Sequence, residues 1–298
     1  MSDEETIAAA GRALGTPVER ARRVAGGDIN DAWQLRLADG TEAFLKSRPS
    51  ARDGEYELEA AGLEWLGEVA GGLPVPSVIG VVDEGGTRGL VLEWVDEGGR
   101  LDEAGEELLG SGLARIHAAG APGFGALPPG APDVALRFGG VVLPAGGAAA
   151  DAPWAEHYGT RIEALAAAAS DAGRLDARAG AAITTVIERI ADLAGPDEPP
   201  ARVHGDLWSG NVLAAADGRP WLIDPAAHGA HREIDLAMLR LFGSVPARTL
   251  AAYEDVRPLA PGHEERVSLW QIQPLLVHAI LFGGGYGAAA GRAAALYG

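Results

Sequence analysis

Cysteine is absent from the 298 residues, and lysine occurs only at Lys46, which leaves 23 arginines among the 24 basic residues. The lack of cysteine excludes disulfides, thiolate metal sites and thiol nucleophiles together. No apolar run approaches the roughly 20 residues of a membrane-spanning helix, because glycine, proline or a charged residue interrupts each one. The acidic start, "MSDEETIAAAGRALG", predicts a capped amphipathic helix and not a secretory signal. We therefore expect a cytoplasmic protein with no membrane partner.

Positive charge is also scarce, since 42 acidic residues give the chain a net charge of −18. This balance argues against a nucleic-acid partner, because phosphate backbones are held by basic patches. It does not exclude a nucleotide site, where bound Mg²⁺ can reverse the local sign of charge. The excess of arginine over lysine indicates a coding bias. The one surviving lysine is then either a chance event or a residue whose role arginine cannot fill.

Lys46 lies in the second of two β-prone runs that flank Asp39-Gly40, a strong hairpin signal. A two-residue turn at this dipeptide would place Lys46 opposite Trp33. The glycine-bearing stretch "GGDIN" (26–30) lies just beyond the same end of the hairpin. Without other support, that stretch is equally well explained as a simple turn.

Around this hairpin the order is helix, three strands, helix and two strands, up to about residue 95. From residue 96 the pattern changes to helices, predicted at about 101–118, 154–172 and 177–194 and from Arg232 onward, with an irregular loop at 120–150. We therefore divide the chain into an N-terminal lobe (1–95) and a C-terminal lobe (96–298).

A second hairpin interrupts the helices in "VHGDLWSGNVLAAADGRPWLIDPA", residues 203–226. A two-residue turn at Asp217-Gly218 would place Asn211 opposite Asp224 at its open end, with Asp206 in the loop that enters the same end. Two carboxylates and an amide suit a hard cation such as Mg²⁺. The alternative is that the Asn and Asp side chains cap strand ends and that Asp206 belongs to an ordinary turn.

The spacing of His204, Asp206, Asn211 and Asp224 resembles the catalytic arrangement of protein-kinase-like phosphotransferases. This resemblance implies an α+β bilobal protein-kinase-like fold, with a small N-terminal antiparallel-sheet lobe and a larger, mostly helical C-terminal lobe. It also implies ATP and Mg²⁺. In this fold a strand lysine contacts the α/β-phosphates and is held by a helix glutamate. Glu59 is the first candidate for that glutamate, and Glu57 and Glu64 are weaker ones.

The stretches "GGDIN", "YELEAAGL", "HGDLWSGNVL", "IDPA", "REIDLAMLRLFG" and "LFGGGY" resemble the fructosamine kinase (ketosamine-3-kinase) family from residue 26 to 286. The resemblance implies ATP-dependent phosphorylation of the sugar 3-hydroxyl of a small-molecule or protein-bound ketosamine, a deglycation-repair reaction. Asp206 would orient and deprotonate the hydroxyl, while Asn211 and Asp224 would hold Mg²⁺. Trp208 would either stack on the acceptor or pack beneath its own loop. The remaining residues implied for ATP binding are Lys46, Glu59, Gly26, Gly27, Asp28, Ile29, Asn30, Glu93, Trp94 and Val95.

Two alternatives remain open. One is a small-molecule kinase of the aminoglycoside- or choline-kinase-like fold that acts on another hydroxyl, and the other is a nucleotide-binding pseudokinase with a regulatory role. The chain departs from the family pattern at His231, Ala279 and Ile280. If these positions line the acceptor pocket, an acceptor other than fructosamine is expected. The sequence predicts no oligomeric state.

Overall fold

The computed structural model describes residues 2–24, 30–144 and 152–298. Its first part is an antiparallel sheet flanked by two helices, as predicted. The five strands follow the order β1-β2-β3-β5-β4 across the sheet. The elements are α1 (Asp3–Leu14), β1 (Val18–Arg23), β2 (Asp31–Leu37), β3 (Glu42–Ser47), α2 (Glu55–Gly67), β4 (Val78–Glu84) and β5 (Thr87–Glu93).

Each face of this sheet is covered by one of the two helices. Helix α1 begins with a capping box formed by Ser2 and Glu5, in keeping with its acidic first turn. Ala9 and Ala10 of α1 pack with Trp33 on one face. On the other face, α2 buries an apolar cluster against β3 and β5. Because side chains alternate between the faces of a strand, each residue of β3 points to one helix or the other.

The face that Lys46 occupies is set by the β2–β3 register, and the predicted register is wrong by one residue. Lys46 pairs with Ala32 and, on its other side, with Leu90, whereas Trp33 pairs with Leu45. The turn contains three residues and not two, with Gly40 at φ 89° closing it in the left-handed conformation. Lys46 therefore shares the α2 face with Leu90, and Trp33 lies on the α1 face.

The rest of the chain is mostly helical, and three short strand pairings position its loops. Strand β8 pairs with β11 and β9 with β10, while β6 and β7 form a small hairpin inside the segment predicted as irregular. The elements are α3 (Glu103–Ala118), β6 (Arg137–Phe138), β7 (Val141–Val142), α4 (Trp154–Asp171), α5 (Ala177–Glu188), α6 (Ile190–Leu193), β8 (Ala201–Val203), a 3-10 turn (Ser209–Asn211), β9 (Val212–Ala214), β10 (Pro220–Leu222), β11 (His228–Ala230), α7 (Glu233–Leu239), α8 (Ala247–Val256), α9 (His263–Phe282), α10 (Tyr286–Ala294) and a second 3-10 turn (Ala295–Tyr297).

The predicted pairing of Asn211 with Asp224 is also wrong by one residue. Asn211 accepts a hydrogen bond from the backbone of Ile223 (3.1 Å), so Asp224 is the first residue beyond the β9–β10 ladder. The cause is again a three-residue turn, closed by Gly218 at φ 81°. The predicted boundary at residues 95/96 stays a prediction, because the chain between β5 and α3 is a continuous linker that bridges to the β9–β10 hairpin at Glu97.

Helices α7 and α9 are joined by a buried ion pair. Arg266 donates to both carboxylate oxygens of Glu233 (2.9 and 2.6 Å), and Trp270 donates to one of them (2.8 Å). None of the helices in the described part of the chain combines the length and the apolar character needed to cross a membrane.

Helix α3 approaches α8 so closely that Gly110 leaves no room for a side chain. A Cβ at this position would lie 1.9 Å from the carbonyl oxygen of Thr249. We expect Gly110→Ala to lower the free energy of unfolding by about 1–3 kcal/mol, because an inserted methyl group forces the helices apart. Gly180→Ala is the matched control: its Cβ would be 4.0 Å from the nearest atom, and alanine favours a helix by roughly 0.5–1 kcal/mol. Urea unfolding of both variants tests the difference, and equal midpoints would contradict it.

Candidate active site

Lys46 connects the sheet to the C-terminal part of the chain. Its Nζ forms an ion pair with Glu59 on α2 and donates a 2.8 Å hydrogen bond to Asp224 Oδ1. The ammonium group is buried, which by itself would lower its pKa, but the Asp224 and Glu59 carboxylates outweigh burial and raise the pKa of Lys46. Lys46 is therefore a fixed positive charge at neutral pH. The glutamate is the predicted Glu59, rather than Glu57 or Glu64.

Asp224 is placed by the end of the β9–β10 hairpin. Its φ is 54°, and among the described residues it is the only one other than glycine in the left-handed region. Aspartate tolerates that region better than most residues, although the conformation still costs free energy. Burial raises the pKa of the Asp224 carboxyl, but the positive charge of Lys46 lowers the pKa by a larger amount, and the net shift is downward. Asp224 is therefore ionised and held against the lysine.

The loop that carries Asp206 is fixed by a buried carboxylate on α7. Asp235 accepts hydrogen bonds from the backbone N–H groups of His204 (2.7 Å) and Gly205 (2.9 Å). The His204 ring spans the same loop, because its Nε2 donates to the Ile223 carbonyl (2.9 Å) and its Nδ1 accepts from the Asp206 backbone (3.3 Å). Burial lowers the pKa of His204, in agreement with a neutral ring. His204 is therefore a brace for the loop.

His117 and Tyr253 complete this support and were missed by sequence reasoning. His117 Nε2 donates to Asp235 Oδ2 (3.2 Å), and its Nδ1 accepts from the Tyr253 hydroxyl (2.8 Å). Burial lowers the pKa of His117 despite the neighbouring Asp235 carboxylate. These residues come from α3, α7 and α8. No local motif announces such a contact, because the partners are 118 and 136 residues apart.

Asp206 lies near Asp224 with no basic side chain hydrogen-bonded to it among the described residues. Burial and the Asp224 carboxylate raise the pKa of Asp206 well above its usual value. Asn211 Nδ2 donates to the Asp206 carbonyl (2.8 Å), which leaves the Asn211 Oδ1 available. Two close carboxylates with an amide oxygen are a donor set that a divalent cation stabilises.

These residues fit Mg²⁺ better than a metal held entirely by protein. The described residues contain no group of three or more His, Cys, Asp or Glu that could hold a metal ion. Mg²⁺ typically takes only one or two carboxylates and completes its shell with water and substrate phosphates. The excess negative charge at Asp206 and Asp224 matches that requirement.

A cavity of about 750 Å³ extends from these residues between the sheet and the C-terminal helices. Lys46, Glu59, Asp206, Asn211 and Asp224 all line it, and so do Asn30 and Trp208. The predicted residues Gly26, Gly27, Asp28 and Ile29 lie outside the described residues. Asn30 Oδ1 accepts from the Tyr56 hydroxyl (3.1 Å).

The predicted adenine-binding residues lie outside this cavity, at the end of β5. The Glu93 carboxylate accepts from Ser77 through its backbone N–H (3.2 Å) and its hydroxyl (2.9 Å). Trp94 Nε1 donates to Asp96 (2.8 Å), and Val95 is half-buried beside them. Their contact with adenine stays a prediction.

Part of the cavity lining is an aromatic wall, of which sequence reasoning recognised only Trp208. His278 on α9 is its centre, with ring centroids at 5.0 Å from Phe242, 5.1 Å from Tyr286 and 5.6 Å from Phe282. His278 Nδ1 donates to the Pro274 carbonyl (2.7 Å), so a neutral ring offers Nε2 as an acceptor. The aromatic wall consists of Phe138, Trp208, Phe242, His278, Phe282 and Tyr286.

The three positions that depart from the family pattern do not line the cavity. His231 is buried and stacks on Trp270 at 5.4 Å, and Ala279 is fully buried. The cavity-lining residues of α9 are His278, Leu281 and Phe282, so Ile280 is not one of them. These substitutions therefore give no reason to expect an altered acceptor.

Comparison with known proteins identifies the family. The model of the fructosamine kinase family matches residues 3–295. A protein of Enterococcus faecium named as a probable ketoamine kinase is 30% identical over 265 residues, which covers 89% of this chain and 90% of the relative.

Solved structures agree with this assignment. A crystal structure assigned as a fructosamine-3-kinase of Thermobifida fusca superposes with a TM-score of 0.87 at 38% identity, covering 99% of both chains. A macrolide 2'-phosphotransferase of Brachybacterium faecium shares the fold, with a TM-score of 0.60 at 16% identity over 98% of this chain and 97% of that chain. The predicted protein-kinase-like bilobal fold is thus confirmed. The chain belongs to the fructosamine kinase family, and it is an ATP-dependent phosphotransferase.

Proposed function

We propose that this kinase phosphorylates the 3-hydroxyl of the sugar in a ketosamine, and that the reaction serves deglycation repair. The observation that carries the proposal is that one cavity is lined both by the Lys46–Glu59–Asp224 ion pairs, which form its charged end, and by the aromatic wall. The charged end suits a nucleoside triphosphate. The aromatic end suits a small organic acceptor, which matches the ketoamine acceptors named for the relatives.

In this proposal the charged end holds the phosphates of ATP. Lys46 contacts the α/β-phosphates as a compact point charge, and Glu59 keeps its side chain in that position. The stretch "GGDIN" (26–30) would contribute to phosphate binding, and the segment Glu93–Val95 would meet the adenine. Asn211 and Asp224 would hold Mg²⁺, which supplies charge neutralisation for the transferred phosphoryl group.

Asp206 acts on the acceptor hydroxyl. Its raised pKa makes it a better proton acceptor than an ordinary surface carboxylate. The hydroxyl oxygen attacks the γ-phosphorus while its proton passes to Asp206, and the bond to the β-phosphate oxygen breaks to release ADP. Trp208 stacks on the sugar or amine, since its exposed ring (38% accessible) faces the cavity beside Phe242.

The acceptor class is tested with a panel of hydroxyl compounds. With ATP and Mg²⁺, we expect turnover of fructose- or ribulose-amine adducts. The free sugars, choline and a macrolide should react at least tenfold more slowly, because none of them combines a ketose with an amine linked to it. Coupled ADP release measures each rate, and NMR of the product locates the phosphate. Turnover of choline or a macrolide alone would support the other small-molecule acceptors, and ATP binding without any turnover would support a regulatory pseudokinase.

Asp206→Asn separates catalysis from folding. We expect kcat to fall by about 10²–10⁴-fold, the usual contribution of a positioned base. Without metal or nucleotide, the variant should be more stable than the parent at pH 7, because a buried charge that repels Asp224 has been removed.

The pH dependence of that stability difference follows from the raised pKa of Asp206. The Asp206 carboxyl binds its proton more tightly in the folded protein than in the unfolded chain. The folded state therefore loses stability as the pH rises from the unfolded pKa through the folded pKa. The advantage of Asp206→Asn should therefore shrink toward zero as the pH falls to the ordinary value of 3.8. Thermal unfolding in EDTA measures it. Full activity, or lower stability at pH 7, would contradict the assigned role.

Lys46→Arg tests whether the single lysine is incidental. The space between the Glu59 and Asp224 carboxylates holds the one small ammonium of Lys46. A planar guanidinium in that space should displace one of the two carboxylates. We expect kcat/KM to fall on the order of 10²-fold, the cost of removing one preorganised electrostatic contact. Arg36→Lys is the reverse swap at an exposed ion pair with Glu42 and should change nothing. Parent-like rates for Lys46→Arg, with circular dichroism unchanged, would show that either cation serves.

A further inference from the structure

Two arginines that line the cavity form no ion pair with an acidic residue in the described part of the chain. Arg52 precedes α2, and its exposed guanidinium makes no ion pair with any of the described residues. Arg137 lies at the start of the β6–β7 hairpin. Among the described residues, its guanidinium donates a hydrogen bond only to the Gly140 carbonyl (2.9 Å). Other arginines of the chain also lack an ion pair, so what distinguishes Arg52 and Arg137 is that they line the cavity.

Two carboxylates that neighbour Arg52 along the chain are already paired with other cations. Glu55 forms a half-buried ion pair with Arg48, and its second oxygen accepts from the Arg52 backbone N–H (3.3 Å). Asp53 pairs with Arg88. Neither carboxylate therefore forms an ion pair with Arg52 or Arg137.

The two arginines belong to the acceptor end of the cavity. Phe138, the residue after Arg137, is part of the aromatic wall, with its ring 6.0 Å from His278. The loop before β6 crosses to the start of α2, where a Cβ on Gly54 would lie 2.7 Å from Val134. That contact brings Arg52 and Arg137 to the same rim. The segment Glu93–Val95, proposed to meet adenine, does not line this cavity.

We propose that Arg52 and Arg137 form an anion subsite that selects ketosamines whose amine part carries a carboxylate. The inference rests on the proposed function and names its substrate class: sugar adducts of free amino acids or other amino-carboxylates, in preference to adducts of uncharged amines. A guanidinium offers parallel N–H donors that match a carboxylate, and such charge-assisted hydrogen bonds are stronger than neutral ones. The aromatic wall would hold the sugar and the linker while the carboxylate reaches the arginine rim.

The test uses matched acceptor pairs that differ only in the carboxylate. Fructose or ribulose adducts of glycine, 4-aminobutanoate and 6-aminohexanoate are compared with those of ethylamine, butylamine and hexylamine. In the parent enzyme we expect kcat/KM to favour the carboxylate by about tenfold for at least one chain length, which corresponds to about 1.4 kcal/mol. The three lengths cover the span between the amine and the arginine rim.

Single substitutions then assign the preference to the arginines. Arg52→Gln and Arg137→Gln should each reduce the carboxylate preference to twofold or less through KM for the acceptor, while Arg137→Lys should retain part of it. Arg36→Gln is the control, because Arg36 lies on the outer surface of the sheet, in an ion pair with Glu42. It should keep the parental ratio.

Each outcome separates the subsite from the function on which it rests. Equal kcat/KM for both members of every pair in the parent would overturn the subsite alone. So would an arginine variant that raises KM for ATP equally with both acceptors, since the arginines would then serve the nucleotide. Phosphorylation of none of the adducts would overturn the proposed ketosamine kinase function, and the subsite with it.

Discussion

The contact between Lys46 and Asp224 is the constraint on which the site depends, because it joins the sheet to the loop region of the C-terminal part. One buried ammonium satisfies Glu59 from α2 and Asp224 from the end of the β9–β10 hairpin. Leaving any member of such a buried set without its partner would be costly, so the three charges fix the separation of the cavity walls. A compact ammonium fits between two carboxylates where a guanidinium fork would not. This difference in size explains why position 46 holds a lysine in a chain that otherwise uses arginine.

Both hairpins show how far local sequence determines the geometry of this site. The dipeptides Asp39-Gly40 and Asp217-Gly218 correctly predicted the turns, but each turn contains three residues with the glycine last. Two-residue and three-residue turns accept the same Asp-Gly sequence, so the register remained ambiguous by one position. The difference matters, because a shift of one residue moves a partner to the opposite face of the sheet. The strand that carries Lys46 was predictable, whereas its paired neighbours were not.

The candidate site divides in the same way. Lys46, Glu59, Asp206, Asn211 and Asp224 were predictable because short motifs with fixed spacing contain them, and the structure brings all five to one cavity. His117, Tyr253 and the aromatic wall apart from Trp208 were not, because these residues lie in different helices and loops and gain their meaning only by packing. No local motif marks His278, Arg52 or Arg137 as part of a site. Only tertiary structure places them around the acceptor end.

Asp206 carries a free-energy cost that its function explains. The loop is held rigidly by Asp235, whose charge is satisfied by two backbone N–H groups and by His117. Asp206, in contrast, is buried near the ionised Asp224 without a cation hydrogen-bonded to it in the described residues, and burial together with the Asp224 charge raises its pKa. A neutral residue at this position would give a more stable folded protein. In the proposed reaction a divalent cation and an acceptor hydroxyl would supply the missing positive charge and proton, so binding and catalysis would both relieve this unfavourable interaction.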